Sequence, residues 1–238
     1  EEQFHFKGSA TPVSQGLDEL WQSMVGADKV RQGQAVSAID ALTFFTGRVE
    51  RVFASDHSQT LIRDLRPNID RKNKKIRSTT GEVEWDFGNG ILKFHSEKAQ
   101  GACGFLNRMK SVDLPLLSIQ SQNEYCAVTM VSLDDRPLRQ SRRILLQVAT
   151  EDKPFGFRTV AAKSRKYGTM KKIVALGGYP LNVRRIQGSV TLKGIKPVRV
   201  TALDENGYPV RERVQFQNRG GSTSITLPPN RLYLLIQQ

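Results

Sequence analysis

Long apolar runs are missing from this 238-residue sequence. Nothing approaches the roughly 18 consecutive apolar residues that a membrane-spanning helix needs, so no membrane span is expected. Cysteine is scarce as well. Two cysteines, Cys103 and Cys126, match neither a zinc-ligand spacing nor a redox CxxC. Each lies in a strand-like apolar context, GACGF and NEYCAV. That leaves two readings open: a pair of buried thiols, or one disulfide in an oxidising compartment. Histidine is limited to His5, His57 and His95, isolated from one another and without HxH or HExxH spacing. Asp56-His57-Ser58 sets triad residue types side by side, but a triad assembles in space from separate segments. Leu176-Gly177-Gly178-Tyr179 lacks the context of a phosphate-binding loop, and no Asn-x-Ser/Thr sequon occurs. No catalytic residue, metal site or cofactor is assigned, and a binding or structural module is expected in preference to an enzyme.

Negative charge is the next shortage. The formal net charge is +13, and it is uneven. Residues 1–60 hold five Lys/Arg against eight Asp/Glu, and residues 61–238 hold 31 against 15. A basic body can attract nucleic acid, an anionic polysaccharide or an acidic surface. Its cations are mixed with polar residues and lack the aromatic interleaving of a base-stacking platform.

What the sequence has in quantity is β pattern. In Thr79–Leu106, Glu82-Val83-Glu84-Trp85-Asp86-Phe87 alternates carboxylates with apolar residues, the period of a half-buried strand. Asn89-Gly90 then signals a hairpin, with Leu92 and Phe94 turned inward on a return strand Ile91–His95. Carboxylates two apart on a strand lie roughly 7 Å apart, within reach of paired acid/base chemistry, although an exposed strand face is polar in any case.

Before this hairpin, Leu17–Val25 and about Gln34–Phe45 have helical spacing and end at Gly26 and Gly47. Val49–Phe53 suggests a short strand, Pro67-Asn68 a turn, and Arg71–Arg77 a basic junction. After it, strands are expected at Leu114–Gln120, Tyr125–Leu133 and Ser141–Thr150. Residues 151–180, with six Gly and Pro, are expected to be mostly loop with one strand near Phe157–Ala161. Further strands are expected at Val183–Ile186, Gly188–Leu192, Val198–Leu203, Val210–Phe216, Ser222–Leu227 and Leu232–Ile236, with Asp204–Gly207 as a hairpin turn. Many short strands with few helices predict a mainly β chain: an antiparallel β-sandwich with a short N-terminal helical segment. The expected divisions are 1–50 helical, 51–77 a basic linker and 78–238 the sandwich.

The series Ile76–Asp86, Gly90–Phe94 and Ala99–Phe105, then Tyr125–Leu138, Ser141–Leu146 and Val198–Gly207, carries a resemblance. It is similar to the C-terminal β-sandwich of bacterial, planctomycete-type glycoside-hydrolase-like (β/α)8 barrel proteins, departing from it at His95-Ser96-Glu97-Lys98. Residues 33–53 resemble the last helix of such a barrel, the rest of which is absent, so no family catalytic residue carries over. The Glu1-Glu2-Gln3-Phe4-His5 start fits a processed product or a piece of a longer chain.

The resemblance implies a secreted or cell-surface, extracellular setting, which favours the Cys103–Cys126 disulfide. It also implies a non-catalytic accessory domain that packs on a catalytic barrel or binds polysaccharide, anionic polysaccharide included. Multivalent tethering would be its mechanism, and the parent protein would be the glycoside hydrolase. Candidate carbohydrate-binding residues are Trp85, for sugar stacking, and the cations Arg142, Arg143, Lys171 and Lys172. Core packing is the competing role for Trp85, which shares a face with Val83 and Phe87. The alternative function is a structural subunit of an extracellular or cell-surface assembly, with other copies of itself as partners. Nucleic acid ranks last, because no recognisable nucleic-acid module is present.

Overall fold

A computed structural model describes residues 41–47, 66–165 and 168–238. The expected helix Leu17–Val25, most of the helix ending at Phe45 and the strand at Val49–Phe53 lie outside the described residues. Ala41–Phe45 forms a 3-10 helix. The described residues are mainly β, with antiparallel sheets. The chain divides into two compact units, Glu1–Leu92 and Lys93–Gln238.

In the first unit, β1 (Ile69–Asp70) pairs with β2 (Lys75–Arg77), and β2 pairs with β3 (Val83–Asp86). The basic run Arg71–Arg77 turns and pairs as a hairpin. Asp70 accepts hydrogen bonds from the Asn73 backbone N–H and side-chain amide at 2.9 and 2.6 Å, which holds the turn and leaves Lys75–Arg77 extended. Ile76 is buried opposite Trp85, while Lys75 faces Asp86 and Arg77 faces Glu84 across the ladder. The carboxylates of β3 thus meet cations, as opposite charges do across strands. A four-residue turn, Phe87–Gly90, follows, closed by the Gly90 N–H on the Asp86 carbonyl at 2.8 Å. Phe87 belongs to this turn and not to the strand. The return strand β4 (Ile91–His95) has the expected limits, but its buried residue is Ile91 and not Leu92 or Phe94.

In the second unit, the strands β5 (Ala99–Gly104), β6 (Val112–Asp113), β7 (Leu117–Ser121), β8 (Cys126–Ser132) and β9 (Arg143–Thr150) come first. Then follow β10 (Asp152–Phe155), β11 (Arg158–Ser164), β12 (Gly168–Ala175) and β13 (Gly178–Val183). The chain closes with β14 (Gly188–Lys193), β15 (Arg199–Leu203), β16 (Pro209–Arg213), β17 (Phe216–Arg219), β18 (Ser222–Thr226) and β19 (Tyr233–Gln237). One sheet of this unit runs β5-β8-β9-β19-β15-β16 and the other β17-β18-β14-β7-β6, all antiparallel.

Alternation decides the core. Cys126, Val128 and Met130 of β8 and Ile144, Leu146 and Val148 of β9 are buried, as are Leu117 and Ile119 of β7 and Val190 and Leu192 of β14. Each sheet buries one face in the manner of a sandwich, and each fully buried Leu or Ile contributes about 1.5–3 kcal/mol. Buried polar side chains anchor the segments that connect strands. The Gln100 side-chain carbonyl of β5 accepts the Leu116 N–H at 2.9 Å, and the Thr223 hydroxyl of β18 donates to the Ile195 carbonyl at 3.1 Å.

Candidate functional site

Residues 151–180, expected to be mostly loop, form the outstanding exception to this burial. Thr150 ends a sheet strand, and the chain then runs out along β10 and β11 and returns along β12 and β13. β10 pairs with β13, and β11 with β12, as two successive antiparallel ribbons. Gly156 and Gly177, both with positive φ, sit at the break between them. The ladder registers Val160 with Lys172, Ala161 with Lys171 and Lys163 with Thr169. From Asp152 to Arg185 no described residue is buried. At ~3.3 Å per residue, the path from Asp152 to Arg165 is roughly 45 Å of extended chain.

The root of the ribbon is held firmly. Arg184 pairs with Glu151 at 3.0 Å, and its backbone N–H donates to the Glu151 carbonyl at 2.9 Å. Asn123 clasps the next turn of chain, donating to the Arg185 carbonyl at 2.9 Å and accepting the Gln187 N–H at 2.8 Å. A depression of about 230 Å³ lies there, lined by Arg184, Arg185, Ile186, Leu203, Pro229 and Arg231 among others. Its arginines are largely committed: Arg184 to Glu151, and Arg231 to Glu212 at 2.7 Å.

The two halves of the ribbon differ chemically. The half nearest the body displays Phe155, Leu176, Tyr179, Leu181 and Val183, each at least half exposed, with Tyr179 at 90%. The outer half carries Arg158, Lys163, Arg165, Lys171 and Lys172. Between Lys153 and Arg185 the sequence has no Asp or Glu. None of these five outer cations makes an ion pair among the described residues.

The four candidate carbohydrate-binding cations, all in the second unit, do not form one site. Lys171 and Lys172 are consecutive on β12 and so point to opposite faces of the ribbon. Arg142 and Arg143 lie at the start of β9, and the ribbon departs from that strand's other end. There, Asp134 organises the local turn: its carboxylate is held at a pKa of about 2 by the Ser141 hydroxyl, with burial working against it, and by the Arg142 backbone N–H at 2.7 Å. Trp85 belongs to the first unit, where it stacks at a tilt against Phe45, ring centroids 4.3 Å apart, and against Phe87 at 5.6 Å. It is half-buried, while Phe44 and Phe45 are exposed.

No family model matches this sequence, and no curated protein and no solved structure matches it.

The cysteines are free thiols, and the register explains why. β5 pairs with β8 so that Cys103 faces Ala127 and Gly104 faces Cys126. The two side chains therefore point to opposite faces of one sheet, which overturns the Cys103–Cys126 disulfide. Burial pushes both thiols above their usual pKa, and the Cys126 thiol donates to the Ser121 hydroxyl at 3.4 Å.

The paired carboxylates have a structural use. For Asp86 burial opposes ionisation, yet hydrogen bonds from the Asn89 side chain and backbone, with Lys75 nearby, keep its pKa below the usual range. His95 ends β4; His5 and the Asp56-His57-Ser58 run lie outside the described residues. No group of three or more metal-ligating side chains occurs among the described residues. No helix among them is long and apolar enough to cross a membrane.

The ribbon leaves little trace in the sequence because its signal is an absence. Both faces are solvent-facing, so no apolar/polar alternation marks its strands. The lack of Asp and Glu over Lys153–Arg185 was the available clue.

Proposed function

We propose that this chain is a non-catalytic structural subunit of a multi-chain assembly, and that other copies of itself dock on the inner half of the ribbon. The observation that carries this reading is the exposure of Phe155, Leu176, Tyr179 and Leu181 on a ribbon with no core of its own. Large apolar side chains left exposed on a well-anchored element are what protein contacts use, with Tyr as a frequent anchor. Open strand edges beside it supply backbone donors and acceptors for the neighbour.

The test is sedimentation of the chain over a concentration series beside the double variant Tyr179→Ser/Leu181→Ser. Loss of a Tyr anchor typically removes 2 kcal/mol or more, about 30-fold in the dissociation constant. A chain that stays monomeric at every concentration, or a variant that associates as the parent does, rejects the reading.

A second reading keeps the accessory domain of a secreted glycoside-hydrolase-like protein, packing on a catalytic barrel or contacting polysaccharide. The exposed Phe45 ring beside Trp85 favours it, since an exposed aromatic ring suits the apolar face of a sugar. Quenching of Trp85 fluorescence by oligosaccharides, lost in Trp85→Phe, would support this alternative. Invariance of the emission across a neutral and anionic glycan series would dismiss its polysaccharide contact at Trp85.

A further inference from the structure

The outer half of the ribbon calls for a different partner from the inner half. Its five described cations, Arg158, Lys163, Arg165, Lys171 and Lys172, have no carboxylate among them and no ion pair among the described residues. Across the ladder, Lys171 and Lys172 face Ala161 and Val160, not acids. Holding like charges together on a two-stranded ribbon raises the local potential and is unfavourable until a polyanion neutralises it.

The charges also lie on both faces. Lys163 and Lys171 share one face as diagonal neighbours, and Lys172 occupies the other with Val160. A protein surface or a glycan chain laid against the ribbon would meet one face only. A duplex groove differs, because it offers a phosphate wall on each side of whatever enters it. The B-form major groove, about 12 Å wide, admits a two-stranded β-ribbon.

We infer that the β11–β12 ribbon is a duplex-DNA-binding arm that inserts into the major groove, its cations meeting phosphates on both sides. The binding is electrostatic and largely independent of base sequence. It is separate from the copy–copy contact, which uses the inner half.

The test measures anisotropy of a labelled mixed-sequence DNA duplex titrated with the full chain across a salt series. The companion is the triple variant Lys163→Gln/Lys171→Gln/Lys172→Gln, whose side chains are exposed and leave the body unaltered. Five phosphate contacts predict a slope of log K against log salt of about −4.5; removing three brings it to about −2. Duplex RNA, whose major groove is deep and narrow, binds more weakly than DNA at the same salt. The inference is overturned if the triple variant keeps the parent's slope, or if single-stranded DNA or a sulfated polysaccharide binds more tightly than the duplex. Sedimentation of the same samples separates the two proposals. The triple variant should still self-associate, whereas Tyr179→Ser/Leu181→Ser should still bind DNA.

Discussion

Gly101→Ala puts the packing of the second unit to a severe test. Gly101 sits in mid-β5 opposite Thr129 of β8. A Cβ built there would lie 2.6 Å from the Val128 carbonyl oxygen and 2.8 Å from two ring carbons of Phe94. Ordinary van der Waals contact begins at about 3.4 Å, so one methyl overlaps a backbone atom and an aromatic ring together. The ring can swing, because Phe94 is half-buried. The Val128 carbonyl cannot, since β8 is fixed between β5 and β9. Overpacking of this kind costs about 1–3 kcal/mol, and the fixed carbonyl puts the expected loss toward the top of that range. For a chain of this size each kcal/mol lowers Tm by roughly 2–4 °C, giving a fall of about 5–10 °C. Thermal and urea denaturation followed by far-UV circular dichroism measure it. The double variant Gly101→Ala/Phe94→Leu should recover part of the loss by relieving the ring overlap. A Gly101→Ala protein that melts within a degree of the parent would refute the packing argument.

Trp85→Ala should lower the stability of the first unit by about 2 kcal/mol, less than full core truncation because the ring is only half-buried; a denaturation curve for that unit reads it. Asp113 is held at a pKa of about 2, chiefly by the Lys193 ammonium at 2.9 Å and then by the Ser111 hydroxyl. A folded-state pKa below the unfolded value means that the contribution is present above the ordinary carboxylate range and fades as pH falls from about 4 to 2. Asp113→Asn should flatten that part of the stability profile, by an amount that salt reduces because the pair is exposed. The cysteines should react slowly with thiol reagents in the native protein and rapidly after unfolding, and reduction should leave the intact mass unchanged.

The body was legible because burial on one side prints a pattern. In β8 and β9 every second residue faces the core, and Tyr125–Leu133 and Ser141–Thr150 announced the strands that became Cys126–Ser132 and Arg143–Thr150. The Asp204–Gly207 turn was equally clear, with Asp204 accepting the Asn206 and Tyr208 N–H groups at 2.9 and 2.8 Å. Segments without a buried face gave no such print. Glycines and Pro180 in 151–180 looked like loop residues, yet they punctuate a ribbon whose strands are exposed on both sides. Val210–Phe216 read as one strand but splits into β16 and β17, which belong to different sheets. The division of cations among sites was invisible as well. Arg142 with Arg143, and Lys171 with Lys172, are neighbours in sequence, and only the topology separates the two pairs.

The placement of Cys103 and Cys126 on opposite faces of the β5–β8 pair reaches beyond disulfide chemistry. A domain whose two sulfurs cannot meet forms no intramolecular disulfide, whatever the redox state of its surroundings. It can fold identically in a reducing cytosol and in an oxidising exterior, without an isomerase to correct pairings. Its cysteines therefore give no address, and production of the chain in ordinary bacterial cytoplasm should yield the same fold as secretion.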